Sequence, residues 1–358
     1  MKTVVVLFLL FCMTTILPAA EQPATVYDGV TLTEDVIWRG SILVKGCVVV
    51  APHVTLRIDP GTVVRFATGA ARQLPNLVVQ GRINAAGTSR QPIVLTSDRS
   101  RPERGSWGGI VLLSTEKRNV FEYCRIEYAE TGIDLRFSTI ALKEVSIVQA
   151  KTAFLAHDGV VQMTGGTVSD SETGIELHNS EFDGRDTAVV SCRRGCVLNK
   201  SAVVFTASKI MNNQQIGLEA DDCRVKITGS EFSGNSFGVR IKGGEGQINM
   251  SRFLKNRQTA LHLAGSRIKV QRCQFAGNSQ DALRSEDGLA LVMNNVFSSN
   301  SGFNLYNAGR EAVEARLNWW GTAEQAMIGE KIYDAEHDKN SGVVHYYPWL
   351  NEKPQLMP

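Results

Sequence analysis

The apolar residues of this chain come in short pulses, separated by Gly, Asn and Ser, and the pulses keep a fixed interval. One series has the form small residue, apolar, outward polar, apolar: Gly132-Ile133-Asp134-Leu135, then Ala153-Phe154-Leu155-Ala156 and Gly174-Ile175-Glu176-Leu177. It continues from Gly195, Gly217, Gly238, Ala260 and Ala282 in steps of 21 or 22 residues, and closes with Gly302-Phe303-Asn304-Leu305 after a step of 20. A second column runs in phase: Ile126, Ile147, Val168, Val189, Ile210, Phe232, Phe253, Phe275 and Phe297. A third lies five residues before it, at Leu142, Met163, Phe205, Ile227, Ile248, Val270 and Val292. Gly184 interrupts this third column, so a bulge is expected over residues 181–186.

Pulses this short do not sustain the 3.6-residue period of a helix. Three strands per repeat with one fixed period describe a solenoid in which each coil contacts only its neighbours. The reading is all-β: a single-stranded right-handed parallel β-helix of about 12 coils, each of 21–22 residues, over residues 21–318. With about 4.8 Å between coils the rod would be about 55–60 Å long. Asn213, Asn235, Asn256, Asn278 and Asn300 each follow a core rung by three residues and read as a stacked column of turns, where asparagine tolerates left-handed backbone and bonds locally. Sheet edges at the ends of the rod need covering. Residues 25–40 are expected to cover one end, and residues 319–358, with Trp319-Trp320 and Tyr346-Tyr347-Pro348-Trp349, the other. The polar stretches 68–75 and 98–106 read as loops that leave the rod.

Residues 1–20 have the layout of a secretory signal: Lys2, an apolar run from Val4 to Phe11, and Pro18-Ala19-Ala20 before the expected cleavage site. That run is too short to span a bilayer, which needs about 20 residues, and no later segment of the sequence is long and apolar enough. The expected location is the periplasm, the cell surface or the medium. Lys2 leaves with the leader and no acid does, so the formal charge falls from +2 to +1, which argues against electrostatic attraction to nucleic acid. Six cysteines lie beyond the leader. Cys192 and Cys196 flank Arg-Arg-Gly in an expected loop and form the candidate disulfide; the scattered others read as buried thiols of a stacked core. No spacing resembles a four-ligand zinc site.

The Gly-Ile-x-Leu strands and the Ser-x-Phe-x-x-Asn turns (Ser230 to Asn235, Ser251 to Asn256) resemble the pectin-lyase-like right-handed β-helix superfamily. Three segments are similar to a bacterial secreted subgroup of it: Leu56 to Phe66, Gly105-Ser106-Trp107-Gly108-Gly109-Ile110, and Asn318-Trp319-Trp320-Gly321 with its closing Pro348-Trp349-Leu350. The resemblance implies the fold and leaves the activity open, because the superfamily holds lyases, hydrolases, epimerases and adhesins. Its polygalacturonase-like hydrolases carry paired aspartates, a Gly-His-Gly and an Arg-Ile-Lys. This chain has Asp221-Asp222 and Arg267-Ile268-Lys269, which makes Asp221, Asp222 and Lys269 the candidate catalytic residues, but Gly243-Gly244-Glu245-Gly246 stands where the histidine motif is expected. Pectate-lyase-like members imply calcium, and no dense acidic cluster offers the 6 to 8 oxygen ligands it takes.

The repeat also maps a surface. Positions two and four residues after each strand's first residue point outward on one face, bringing His157, Glu176, His178, Glu219 and Asp221 near Arg240, Lys242 and His262. Acids above bases along one groove suit a hydroxyl-rich glycan, and the same pattern suits a solvated sheet face. Three functions stay open: a non-catalytic solenoid that binds polysaccharide or a cell-envelope partner, a polysaccharide lyase or hydrolase, and a scaffold or adhesin subunit.

Overall fold

The computed structural model describes residues 24–67 and 74–354; the signal-peptide reading and most of the expected 68–75 loop lie outside them. The chain winds through about 13 turns as a right-handed parallel β-helix with three sheet faces. The first face contains Ala129–Arg136, Thr152–His157, Thr173–His178, Arg194–Asn199, Ile216–Asp221 and Phe237–Lys242. The second contains Thr139–Lys143, Val160–Thr164, Glu181–Arg185, Ala202–Thr206, Arg224–Thr228 and Glu245–Asn249. The third is a 13-stranded sheet that begins with Thr25–Asp28 and ends with Val296–Ser298. Two long strands, Leu261–Gln271 and Leu283–Met293, run through the corner between the first and second faces without a break.

The apolar columns of the sequence stack as expected. Ile126 pairs with Ile147, Ile147 with Val168, and so on to Phe275 with Phe297. All nine rungs are fully buried. The four phenylalanines stack with ring centroids 5.2, 4.7 and 5.0 Å apart, and Trp320 adds a fifth ring 4.7 Å beyond Phe297. Toward the other end Trp107 stacks on Phe66 at 3.8 Å and donates its Nε1–H to the Glu127 carbonyl at 2.7 Å, so this tryptophan packs the core. The small first residue of each strand is steric in origin. A Cβ on Gly217 would sit 2.6 Å from the Gly238 carbonyl oxygen and 2.9 Å from Asn235 Nδ2.

Several expectations are corrected. No bulge occurs at Gly184: Glu181–Arg185 keeps its register with both neighbours, and the Phe182 ring occupies the core space that Gly184 leaves. The rung of the first face that follows Leu283 is reached after 22 residues, because Leu283 pairs with Leu305, which places Tyr306 in the outward column. Residues 25–40 are themselves the first coil, contributing Thr25–Asp28, Thr31–Leu32 and Val36–Trp38 to the three faces. The C-terminal segment carries the short helix Gln325–Gly329 and two more rungs, Ile332–Tyr333 and Val344–His345.

The corners are held by side chains that reach from coil to coil. Asn235 donates both its backbone N–H and its Nδ2–H to Asn256 Oδ1, and Asn256 repeats both bonds to Asn278. The left-handed residues are the ones before these asparagines: Asn212, Gly234, Lys255, Gly277 and Ser299, with φ between 51° and 67°. The ladder asparagines are buried for their amides, which bond in two directions at once.

Cys192 and Cys196 are free thiols in the structure, which corrects the expected disulfide. Cys196 is an inward rung between Ile175 and Leu218. Cys192 sits at a corner, where its Sγ–H points to the Val190 carbonyl two residues back at 3.6 Å. Ser171, one coil earlier, makes the same bond to Ser169. Cys223 and Cys273 likewise continue columns of corner serines, bonding to Asp221 and Gln271. Burial pushes the Cys192 thiol up to about 11 and the Cys273 thiol up to about 12, so neither supplies thiolate near neutral pH. Iodoacetamide added to the native protein should therefore label the exposed Cys47 and spare Cys192 and Cys196. Peptide mass spectrometry reads this, and an oxidised Cys192–Cys196 peptide recovered without reduction would contradict the assignment.

Candidate functional site

The first face presents two outward columns in unbroken register. One reads Asp134, Leu155, Glu176, Val197, Glu219, Arg240, His262, Arg284, and continues to Tyr306 and Tyr333. The other reads Arg136, His157, His178, Asn199, Asp221, Lys242, Ala264, Glu286. Alternate residues of a strand point to the same side, and successive coils are about 4.8 Å apart, so their polar heads form a grid. All eight residues expected to bind, His157, Glu176, His178, Glu219, Asp221, Arg240, Lys242 and His262, lie on it.

The grid pairs acids with bases locally. Arg240 Nη1 donates to Glu219 Oε1 across one coil at 3.2 Å, and Arg136 Nη2 to Asp134 Oδ2 at 2.6 Å within one strand. His178 Nε2 is 3.1 Å from Glu176 Oε1, and the His157 and His178 rings stack with centroids 4.6 Å apart. His262 Nε2 is 3.2 Å from Glu286 Oε2; burial lowers the His262 pKa, with the Glu286 hydrogen bond opposing. Asp221 and Lys242 make no side-chain hydrogen bond or ion pair among the described residues. Their polar atoms are presented to solvent rather than consumed by the fold. The face is open: the side chains of Glu176, His178, Glu219 and Arg240 are 25–37% exposed.

Sequence reasoning missed the aromatic continuation. The Arg284 guanidinium lies 4.4 Å from the Tyr306 ring centre, Tyr306 stacks on Tyr333 at 4.2 Å, and Tyr333 on His337 at 5.1 Å. Each flat ring face is covered by the next residue of the column, so the stack offers edges and hydroxyls to a ligand rather than a platform. The signal was present at Tyr306, but the glycine of Gly302-Phe303-Asn304-Leu305 imitated the start of a strand and shifted the assumed register.

The candidate catalytic residues are not gathered. Asp221 points outward on the first face. Asp222 occupies the left-handed corner position, with φ 50°. Lys269 belongs to the second face, in one column with Lys226 and Gln247. A corner of the prism thus stands between the aspartates' face and the lysine, whereas inverting glycoside hydrolysis needs its acid and base on either side of one bond. Among the described residues, no group of three or more His, Cys, Asp or Glu is close enough to hold a metal ion.

No curated protein matches the chain. Among solved structures it is similar to the periplasmic alginate epimerase AlgG, at 12% identity and a TM-score of 0.35, covering 87% of this chain and 75% of that one. It is also similar to the GH136 lacto-N-biosidase from Eubacterium ramulus, at 11% identity and a TM-score of 0.32, covering 84% and 62%. Two family descriptions match: "Pectate-lyase like beta helix domain" over residues 29–135 and "Right handed beta helix region" over residues 194–319. With the coil register observed over the whole described rod, the chain belongs to the pectate-lyase-like right-handed β-helix superfamily.

Proposed function

We propose that this protein is an exported solenoid that binds a polysaccharide along its first face without cleaving it. The observation that carries the reading is the double outward column, in register from Asp134 to Arg284 and from Arg136 to Glu286. Carboxylates accept from sugar hydroxyls, while guanidinium and ammonium groups donate to them, and such charge-assisted bonds are the stronger class. A ligand with one polar repeat per few ångströms would meet partners in successive coils. Five acids and four Arg or Lys stand in these two columns, a nearly balanced set that favours a hydroxyl-rich chain over a strongly charged one. The separation of Asp221 from Lys269 supports binding over hydrolysis.

The test is incubation of the purified protein with insoluble and soluble polysaccharides, acidic and neutral, with and without calcium. Pull-down reads binding, while reducing ends and the absorbance of unsaturated uronates read cleavage. The expected result is retention on at least one glycan with no product. Product that disappears in an Asp221→Ala, Asp222→Ala double variant would overturn the binding-only reading and make the first face catalytic. Neither retention nor product would overturn glycan binding and leave a scaffold or adhesin role.

A further inference from the structure

The second face has a different character from the first, and it changes along the rod. Its outward columns in the last six coils read Arg224, Glu245, Arg267, Leu289, Ala312, Val343 and Lys226, Gln247, Lys269, Leu291, Glu314, His345. Four cations stand within three coils against one acid, Glu245, which faces Arg224 at 3.6 Å. Lys226, Arg267 and Lys269 have no side-chain hydrogen bond or ion pair among the described residues. These side chains line a shallow depression of about 560 Å³ together with Leu289 and Leu291. The chain as a whole carries only +2, so this is a local concentration of positive charge.

The apolar end of the same face is the second observation. Leu289 and Val343 are 56% and 46% exposed, on a sheet face whose outward positions elsewhere are mostly polar. Leu317 and Tyr347, in the segments that leave this face, add further exposed apolar surface at 37% and 73%. The Leu317 N–H donates to the Pro348 carbonyl at 2.7 Å, which ties the aromatic segment to this corner of the rod. Several exposed apolar side chains at one end of a face, beside unpaired cations, mark an interaction surface.

We propose that this end of the second face docks peripherally on an anionic phospholipid surface. The cations would sit among the headgroups, and Leu289, Val343 and Leu317 would reach the boundary of the acyl region, with Tyr347 at the interface level where tyrosine is enriched. Attraction of basic residues to anionic lipid falls off within a Debye length and so depends on salt. A soluble polyanion would use the same cations but gains nothing from the leucine and valine side chains, and this separates the two ligands. The site shares no residue with the first face, so it stands whether or not that face binds glycan.

The experiment is co-sedimentation of the full chain with vesicles of phosphatidylcholine alone or mixed with phosphatidylglycerol, beside a binding assay with soluble dextran sulfate. Binding is expected to the phosphatidylglycerol vesicles only and to weaken with salt. A Lys226→Gln, Arg267→Gln variant should bind them roughly thirtyfold more weakly. A Leu289→Ser, Val343→Ser variant should lose vesicle binding while binding dextran sulfate like the parent chain. No vesicle binding by the parent chain would overturn the proposal, as would vesicle binding unaltered in either variant. Dextran sulfate binding without vesicle binding would reassign the patch to a soluble polyanion. Thermal melts of both variants, expected to match the parent because all four side chains are exposed, guard against misfolding.

Discussion

Replacing Phe253 by alanine should destabilise the protein by about 3–5 kcal/mol, the usual cost of emptying a phenylalanine site in a closed core. Phe253 is fully buried between Phe232 and Phe275, and its ring is nearly parallel to both. The backbone of a β-helix cannot relax into the gap, because coil spacing is fixed by hydrogen bonds on all three faces. The cavity therefore persists, and the stacking contacts on both sides of it are lost together. Chemical denaturation reads the change. A loss below about 1 kcal/mol would mean that neighbouring rungs collapse into the space and that the aromatic column is not a rigid element. Because each coil contacts only its neighbours, hydrogen exchange should show the loosening concentrated in the coils on either side of Phe253.

Asn256→Ala should cost about as much, although only a polar side chain is removed. Asn256 Oδ1 accepts from the Asn235 backbone N–H and from Asn235 Nδ2, while its Nδ2 donates to the Phe232 carbonyl at 3.0 Å and to Asn278 Oδ1 at 3.0 Å. Alanine leaves these buried groups without partners, and each buried unsatisfied group costs about 1–3 kcal/mol. Asn256→Ser should recover part of the loss, since serine hydroxyls accept the same coil-to-coil N–H at other corners, as Ser201 does from Ser180 at 3.1 Å. Equal melting temperatures for the alanine and serine variants would contradict the ladder as the source of the stability.

How much of this was legible in the sequence follows from what each feature depends on. The inward columns were readable because parallel in-register stacking puts equivalent residues of successive coils on top of one another, so one period fixes both the rungs and the outward grid. Features set by a neighbouring coil were not readable. An exchange within one strand was not readable either: the ring of Phe182, the inward residue two before Gly184, fills the space that the glycine leaves. The spacing of Cys192 and Cys196 makes them look like a disulfide, and neither Cys192 nor the other corner cysteines, Cys223 and Cys273, reveal their place by spacing. Only alignment with Ser171, Ser201 and Ser251 of adjoining coils shows them standing in for serine. The candidate catalytic set is divided for a related reason: Arg267-Ile268-Lys269 follows Asp221-Asp222 in chain order, but a corner turns it onto a different face from Asp221. The second-face cations give no periodic signal, because Glu245 and Gln247 interrupt both columns between Arg224 and Arg267 and between Lys226 and Lys269.

The most direct test of the central claim compares two double variants on whichever glycan the full chain retains. Glu219→Ala with Arg240→Ala removes a facing pair from the first-face grid, and Lys226→Gln with Arg267→Gln alters only the second face. Titration of the glycan by calorimetry should show the first variant at least tenfold weaker than the parent chain and the second unchanged. Full affinity in the first variant, or a loss confined to the second, would contradict the assignment of the glycan site to the first face.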